Sequence, residues 1–142
     1  MMLMFALAAA TMQPAPVTAE LLAGLPEVEA AITAHDKSQT CTGPLLASVI
    51  AKMGLPSGKE IRGEALTTGI VARARDGYAV LLSIGELDSM LGASKAIIAT
   101  KCGGKALDAE DGPYRLVVPG EQRAARSVRQ LETLQITGRD VP

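Results

Sequence analysis

Aromatic residues are nearly missing from this sequence, which has two Tyr, one Phe and no Trp among 142 residues. Stacking platforms for bases or sugars need several rings in series, so that mode of recognition is argued against. One His and two Cys rule out a cage of several His and Cys side chains, the zinc-finger kind included. Neither charge sign is in excess: 14 Lys plus Arg stand against 15 Asp plus Glu, a formal net charge of −1. That balance gives no global attraction for nucleic acid or an anionic membrane, although a local basic patch stays open. No P-loop, no G-x-S-x-G elbow and no supported Ser-His-Asp set is present. The remaining composition is globular, 48% hydrophobic and 20% charged, in a length that suits one core.

Charge is also absent from the beginning of the chain, where the first charged side chain is Glu20. Met1 to Ala10 forms a continuous apolar run. It falls far short of the roughly 20 residues of a stable membrane span but suits a signal-peptide core. Ala8-Ala9-Ala10 offers the small residues a signal peptidase needs, while a basic n-region is lacking. The leader is therefore atypical, or the true start lies upstream; the competing reading is a buried N-terminal helix. Residues 1–19 are expected to be a signal peptide with a Pro-rich tail, and 20–142 a single domain with a periplasmic or secreted address. In an oxidising compartment Cys41 and Cys102 can form one disulfide, worth about 4 kcal/mol for a loop of roughly 60 residues. The alternative is two unrelated buried thiols.

Thr18 is placed to cap a short helix over Ala19 to Ala23, stopped by Gly24 and Pro26. Glu27 to Ala34 alternates with period two, a strand with one wet face. His35 to Thr42 is polar and reads as a loop, and Gly43-Pro44 as the opening of a helix that Gly54 ends. Thr67 to Arg75, the turn signal Asp76-Gly77 and Tyr78 to Leu82 read as a hairpin. Ser83-Ile84-Gly85-Glu86 matches a capping box opening a helix to about Leu91. Ala96 to Thr100, Arg115 to Val118 and the stretch after Leu131 read as strands, with a turn at Gly103-Gly104. The sum is an α+β domain, a mixed β-sheet with short helices.

The run Asp111-Gly112-Pro113-Tyr114-Arg115-Leu116-Val117-Val118-Pro119-Gly120 is followed by Ala124-Ala125-Arg126-Ser127-Val128-Arg129-Gln130-Leu131. With Thr42-Gly43-Pro44-Leu45, Asp76-Gly77-Tyr78 and Ser83 to Leu87, this series resembles the molybdopterin-binding domain of the sulfite oxidase family. Those motifs read "G-P-L-R-L-V-V-P-G", "G-A-R-x-V-K-x-L" and "T-G-V-x-L" in that family, and the likeness covers roughly residues 18 to 137. It implies that family's fold, a molybdopterin cofactor and oxidoreductase ancestry. It also exposes a departure. Catalytic relatives ligate molybdenum with a Cys in a "C-x-G-N-R" type motif, where a soft anionic sulfur holds and tunes the metal. The corresponding stretch here is Thr33-Ala34-His35-Asp36-Lys37, without Cys, and Cys41 comes later.

The resemblance places Arg123, Arg126 and Arg129 where the family presents cations to the cofactor's phosphate and pterin. Guanidinium suits that work because its planar fork donates two parallel hydrogen bonds. Spacing by three also puts all three on one face of a helical turn, which is how a solvated basic edge looks. His35, the only His, stands where the family's active site opens; imidazole there could exchange protons or ligate a metal, or simply face solvent. Expected partners are thus a pterin or another small anionic ligand, with no nucleic acid and no stable membrane span. The residues leave three readings: a binding module without Cys-ligated molybdenum, a cofactor-free scaffold for an unknown protein partner, and an active oxidoreductase that would need an unconventional metal ligand such as His35.

Overall fold

The computed structural model describes residues 13–138. The expected leader core, Met1 to Ala10, lies outside the described residues. The first element, β1 (Ala15–Pro16), belongs to the Pro-rich tail yet pairs with the last strand, β10 (Leu131–Thr137). Thr18 caps α1 (Ala19–Leu22), its hydroxyl accepting from the Leu21 amide at 3.1 Å. β2 (Glu27–Ala34) follows.

The stretch expected to be a loop is instead a strand. β3 (Lys37–Pro44) pairs antiparallel with β2 along its whole length, and His35 and Asp36 form the connecting turn. Both turn residues are left-handed, φ 51° and 61°, which is the geometry of tight hairpins. Lys37 to Thr40 is exposed at every position, so no alternation of burial marks the strand. Pro44 ends this strand and does not open the next helix. α2 (Leu46–Lys52) begins two residues later, with Leu45 bridging to Ile97.

β4 (Gly69–Ala74) and β5 (Ala79–Ser83) form the hairpin that Asp76-Gly77 signals. Ser83 and Glu86 then make a complete capping box on α3 (Ile84–Leu87). That helix stops short of Leu91 because Asp88 is extended and its carboxylate accepts from the Gly58 amide at 2.9 Å. β6 (Ile97–Ala99), β7 (Lys101–Cys102), β8 (Lys105–Ala106) and β9 (Arg115–Val117) complete the described strands.

The α+β character is as expected, with the described strands divided among three sheets. One sheet runs β1-β10-β4-β5, a second β2-β3-β7-β8, and β6 pairs with β9; each of these pairings is antiparallel. The β6–β9 ladder lies between two apolar clusters, and strand alternation divides its side chains between them. Ile98 and Leu116 enter the larger cluster with α2, α3 and the first sheet. Ile97, Ala99 and Val117 enter the smaller one with Ala30, Ile32 and the two cysteines. Gly43 permits the second sheet's close approach: a Cβ there would lie 1.9 Å from the Ile98 carbonyl oxygen. Cys41 and Cys102 are bonded to each other across paired positions of β3 and β7, closing the disulfide.

Candidate functional site: a cationic cleft at the seam of the two sheets

The hairpin tips of both sheets and the segment between β9 and β10 enclose a cleft of about 440 Å³. That volume lies in the range of roughly 300–1,000 Å³ usual for small-ligand sites. The β2–β3 turn contributes Ala34 and His35, and the β4–β5 hairpin contributes Asp76 and Tyr78. Arg115, Arg123 and Arg129 supply the positive charge.

Arg115 is the residue that gives this cleft its character. It starts β9 on the face shared with Val117, and only 7% of its surface is exposed. Its Nη1 lies 3.6 Å from Asp111 Oδ2, while its Nε is buried without a hydrogen-bond partner. Burial is the main influence pulling this guanidinium below its ordinary pKa; Asp111 opposes it and the like charge of Arg129 reinforces it. Even so, an arginine keeps its proton in a protein. A buried donor left open on a charged fork calls for an acceptor, because the unmade bond costs about 1–3 kcal/mol or more.

Local structure fixes the rest of the site. Asp108 turns the chain so that its Oδ1 accepts from the amides of Glu110 and Asp111, at 3.0 and 2.9 Å. Asp111, held in this way, also lies 3.4 Å from Arg129 Nε through Oδ1. One carboxylate thus half-neutralises two arginines. Ser127, buried, accepts from the Val118 amide at 3.0 Å and anchors the returning segment against β9. Tyr78 donates its hydroxyl proton to the Ala125 carbonyl, tying the first sheet's hairpin to that segment. Arg123 forms no ion pair among the described residues.

The arginines spaced by three do not stay together. The chain makes one 3₁₀ turn over Ala124–Arg126 and then extends, so the cleft takes in Arg123 and Arg129 and leaves Arg126 outside. Arg126 grips Glu121 with two bonds, Nε to Oε1 at 2.9 Å and Nη2 to Oε2 at 2.8 Å. It also donates to Glu86 at 3.1 and 3.2 Å and to the Leu81 carbonyl at 3.3 Å. Those bonds to Glu121 and then Glu86 hold its pKa above the ordinary arginine value. Arg126 is therefore a clasp between the loop after β9 and the capping box of α3. His35 lines the cleft, as do three residues whose part sequence reasoning missed: Arg115, Tyr78 and Asp76. The signal for Arg115 was a single charge heading an otherwise apolar strand, Arg115-Leu116-Val117-Val118.

An α+β domain with a basic, ring-edged cleft at a seam of hairpins is the class defined so far. The chain belongs to the oxidoreductase molybdopterin-binding domain family, the sulfite oxidase-like group, whose model matches residues 18–142. No curated protein matches the chain. Domains of this family bind molybdopterin. The donors here fit one part of that cofactor and not another. The buried, half-paired guanidinium of Arg115 and the exposed ones of Arg123 and Arg129 suit its anionic phosphate. Thiolate ligation of molybdenum does not fit, because Cys41 and Cys102 are the chain's only cysteines and are joined to each other. Among the described residues no helix is long and apolar enough to cross a membrane.

Proposed function

We propose that this domain binds a molybdopterin-type pterin, or another small anionic ligand, in the cleft between the hairpin tips, without thiolate-ligated molybdenum chemistry. The observation that carries this reading is the convergence of three arginines, Arg115, Arg123 and Arg129, on one ligand-sized cleft, with a single carboxylate, Asp111, shared between two of them. Arg115 supplies the inner contact, Arg123 and Arg129 neutralise charge nearer the rim, and Tyr78 and Ser127 hold the segment that carries them. We further propose that the protein works in an oxidising, exported setting, where its one disulfide persists.

The test uses protein made in a host that both assembles the cofactor and exports proteins. Denaturation is expected to release a fluorescent oxidised pterin, and the emptied, refolded protein to bind pterin or phosphate with a Kd that Arg123→Ala raises. Loss of one charge-assisted hydrogen bond predicts a weakening of about 1.5–3 kcal/mol. Lys59→Ala, which removes one exposed positive charge from a residue that does not line the cleft, is the matched control. An affinity that ignores Arg123→Ala sinks the site.

One observation favours a second reading, a cofactor-free scaffold for a protein partner. Leu66, Met90 and Leu91 are each at least half exposed, and Leu66 and Leu91 both flank Gly85. Protein that releases no pterin and binds no anion under the same conditions would favour that scaffold.

A further inference from the structure

A second hollow, of about 340 Å³, adjoins the cleft. Its own walls include Lys37, Ser38 and Gln39, whereas Ala34, Arg115 and Arg129 line both spaces. The β2–β3 turn divides them. Ala34 and Lys37 are paired at the base of that turn; His35 borders only the first space and Lys37 only the second.

Charge is distributed in the same two-part way. Arg115 and Arg129 sit at the junction and share Asp111. Beyond the junction each lobe has one cation of its own that forms no ion pair among the described residues, Arg123 in the first and Lys37 in the second. The first lobe carries a carboxylate, Asp76, in the same wall as Arg123, whereas no acidic residue lines the second, so a single small anion at the junction leaves Lys37 without a counter-charge. Linked anions do better, because once the first is seated the second binds as an intramolecular event.

We propose that the site extends past Arg115 into the Lys37 lobe and takes an oligophosphate ester, a ligand whose linked phosphates engage both lobes. This rests on the anion-binding reading above and adds a ligand class and a residue to it. Arg115 is the common anchor, because its side chain lines both lobes. Lys37 sets how long a phosphate chain the site rewards. Ser38 and Gln39 offer neutral hydrogen-bonding groups beside it.

The experiment titrates the whole chain with orthophosphate, pyrophosphate and tripolyphosphate at one ionic strength. It compares the parent with Lys37→Ala and with Lys59→Ala, which removes the same charge from a residue lining neither lobe. Both lysines are exposed, so both variants are expected to fold, and circular dichroism checks that they do. In the parent, tripolyphosphate is expected to bind at least tenfold more tightly than orthophosphate. Lys37→Ala is expected to erase most of that gain while leaving orthophosphate within twofold, and Lys59→Ala to leave both within twofold. Equal behaviour of the two lysine variants overturns the second lobe. If orthophosphate binding then still responds to Arg123→Ala, only the extension has failed. If no phosphate binds at all, the anion-binding reading falls with it.

Discussion

Among the described residues, the two apolar clusters that flank the β6–β9 ladder differ threefold in size, with 21 buried residues in one and seven in the other. The larger draws on all three helices and the sheet β1-β10-β4-β5. Its members include Leu46, Ile70, Leu82 and Leu134, none of them measurably exposed. The smaller rests on Ala30, Ile32, Ile97, Ala99 and Val117 together with the two cysteines. With two alanines and no leucine among its buried members, and only partly buried Leu45 and Leu107 against them, the smaller cluster buries less area, so its half of the domain depends on the covalent link between β3 and β7. The cleft lies where these unequal halves meet. One hairpin tip comes from the well-packed sheet and the other from the stapled one.

Breaking the staple gives the largest expected effect. Replacing both cysteines, Cys41→Ala with Cys102→Ala, removes a link between positions 61 residues apart. The chain-entropy account assigns such a loop about 4 kcal/mol. Urea unfolding of the double variant is the measurement, with amide exchange expected to quicken first along β2 and β3. A loss near zero, or exchange that quickens evenly in both sheets, would mean the smaller cluster holds itself together. The two neighbouring residues of β9 sharpen the contrast. Leu116→Ala opens the larger cluster and is expected to cost about 3 kcal/mol, against about 2 kcal/mol for Val117→Ala. A gap no larger than about 0.8 kcal/mol, the worth of the extra methylene that Leu116→Ala removes, would mean that the two clusters are equally well packed.

How much of this was readable in advance follows from what is local. The β4–β5 hairpin was legible in Asp76-Gly77, and the start of α3 in Ser83 and Glu86, since each signal lies within four residues of its effect. β3 was not. Its exposed half, Lys37 to Thr40, carries only polar side chains, and pairing with β2 is what makes it a strand. Spacing by three put Arg123, Arg126 and Arg129 on one imagined face. A single 3₁₀ turn followed by extended chain sends Arg126 to Glu86, a residue 40 positions away. Arg115 becomes a buried cation only because β6, β2 and the returning segment cover β9, a fact of assembly that its own strand does not announce. The cysteine pairing has the same origin, in the register of β3 against β7.

A smaller effect is expected at the cap that joins the well-packed half to the loop beside the cleft. The Ser83 hydroxyl accepts from the Glu86 amide at 3.0 Å, and Glu86 accepts in return from the Ser83 amide at 2.8 Å. Ser83→Ala is expected to lower stability by about 1 kcal/mol, the usual worth of an N-cap, with thermal unfolding as the readout. Because Glu86 also receives Arg126, the same change should loosen the loop after β9. A wholly local loss would separate the cap from the clasp.

The smallest predicted effect concerns the other end of that clasp and depends on pH. Hydrogen bonding from Arg126 is the largest influence on Glu121 and holds its carboxyl below the usual glutamate range, against a modest opposing effect of burial. A carboxyl whose pKa is depressed on folding adds stability that is present above its unfolded pKa. That stability is lost as the pH falls through the folded value. The window is therefore acidic, beginning at the ordinary glutamate range and extending below it. The pair is partly exposed, so its worth is set by the surface scale, about 0.5–1 kcal/mol at low salt and less when screened. Glu121→Gln should lower stability by that amount at neutral pH and by nothing at the acid end, so the two unfolding curves converge as pH drops. Since Arg126 keeps Glu86 when Glu121 is neutral, the loop stays docked on the larger half and anion affinity should not change. An affinity that fell with Glu121→Gln would place the clasp inside the binding site and dissolve the distinction between the arginine that holds the cleft's wall and those that line it.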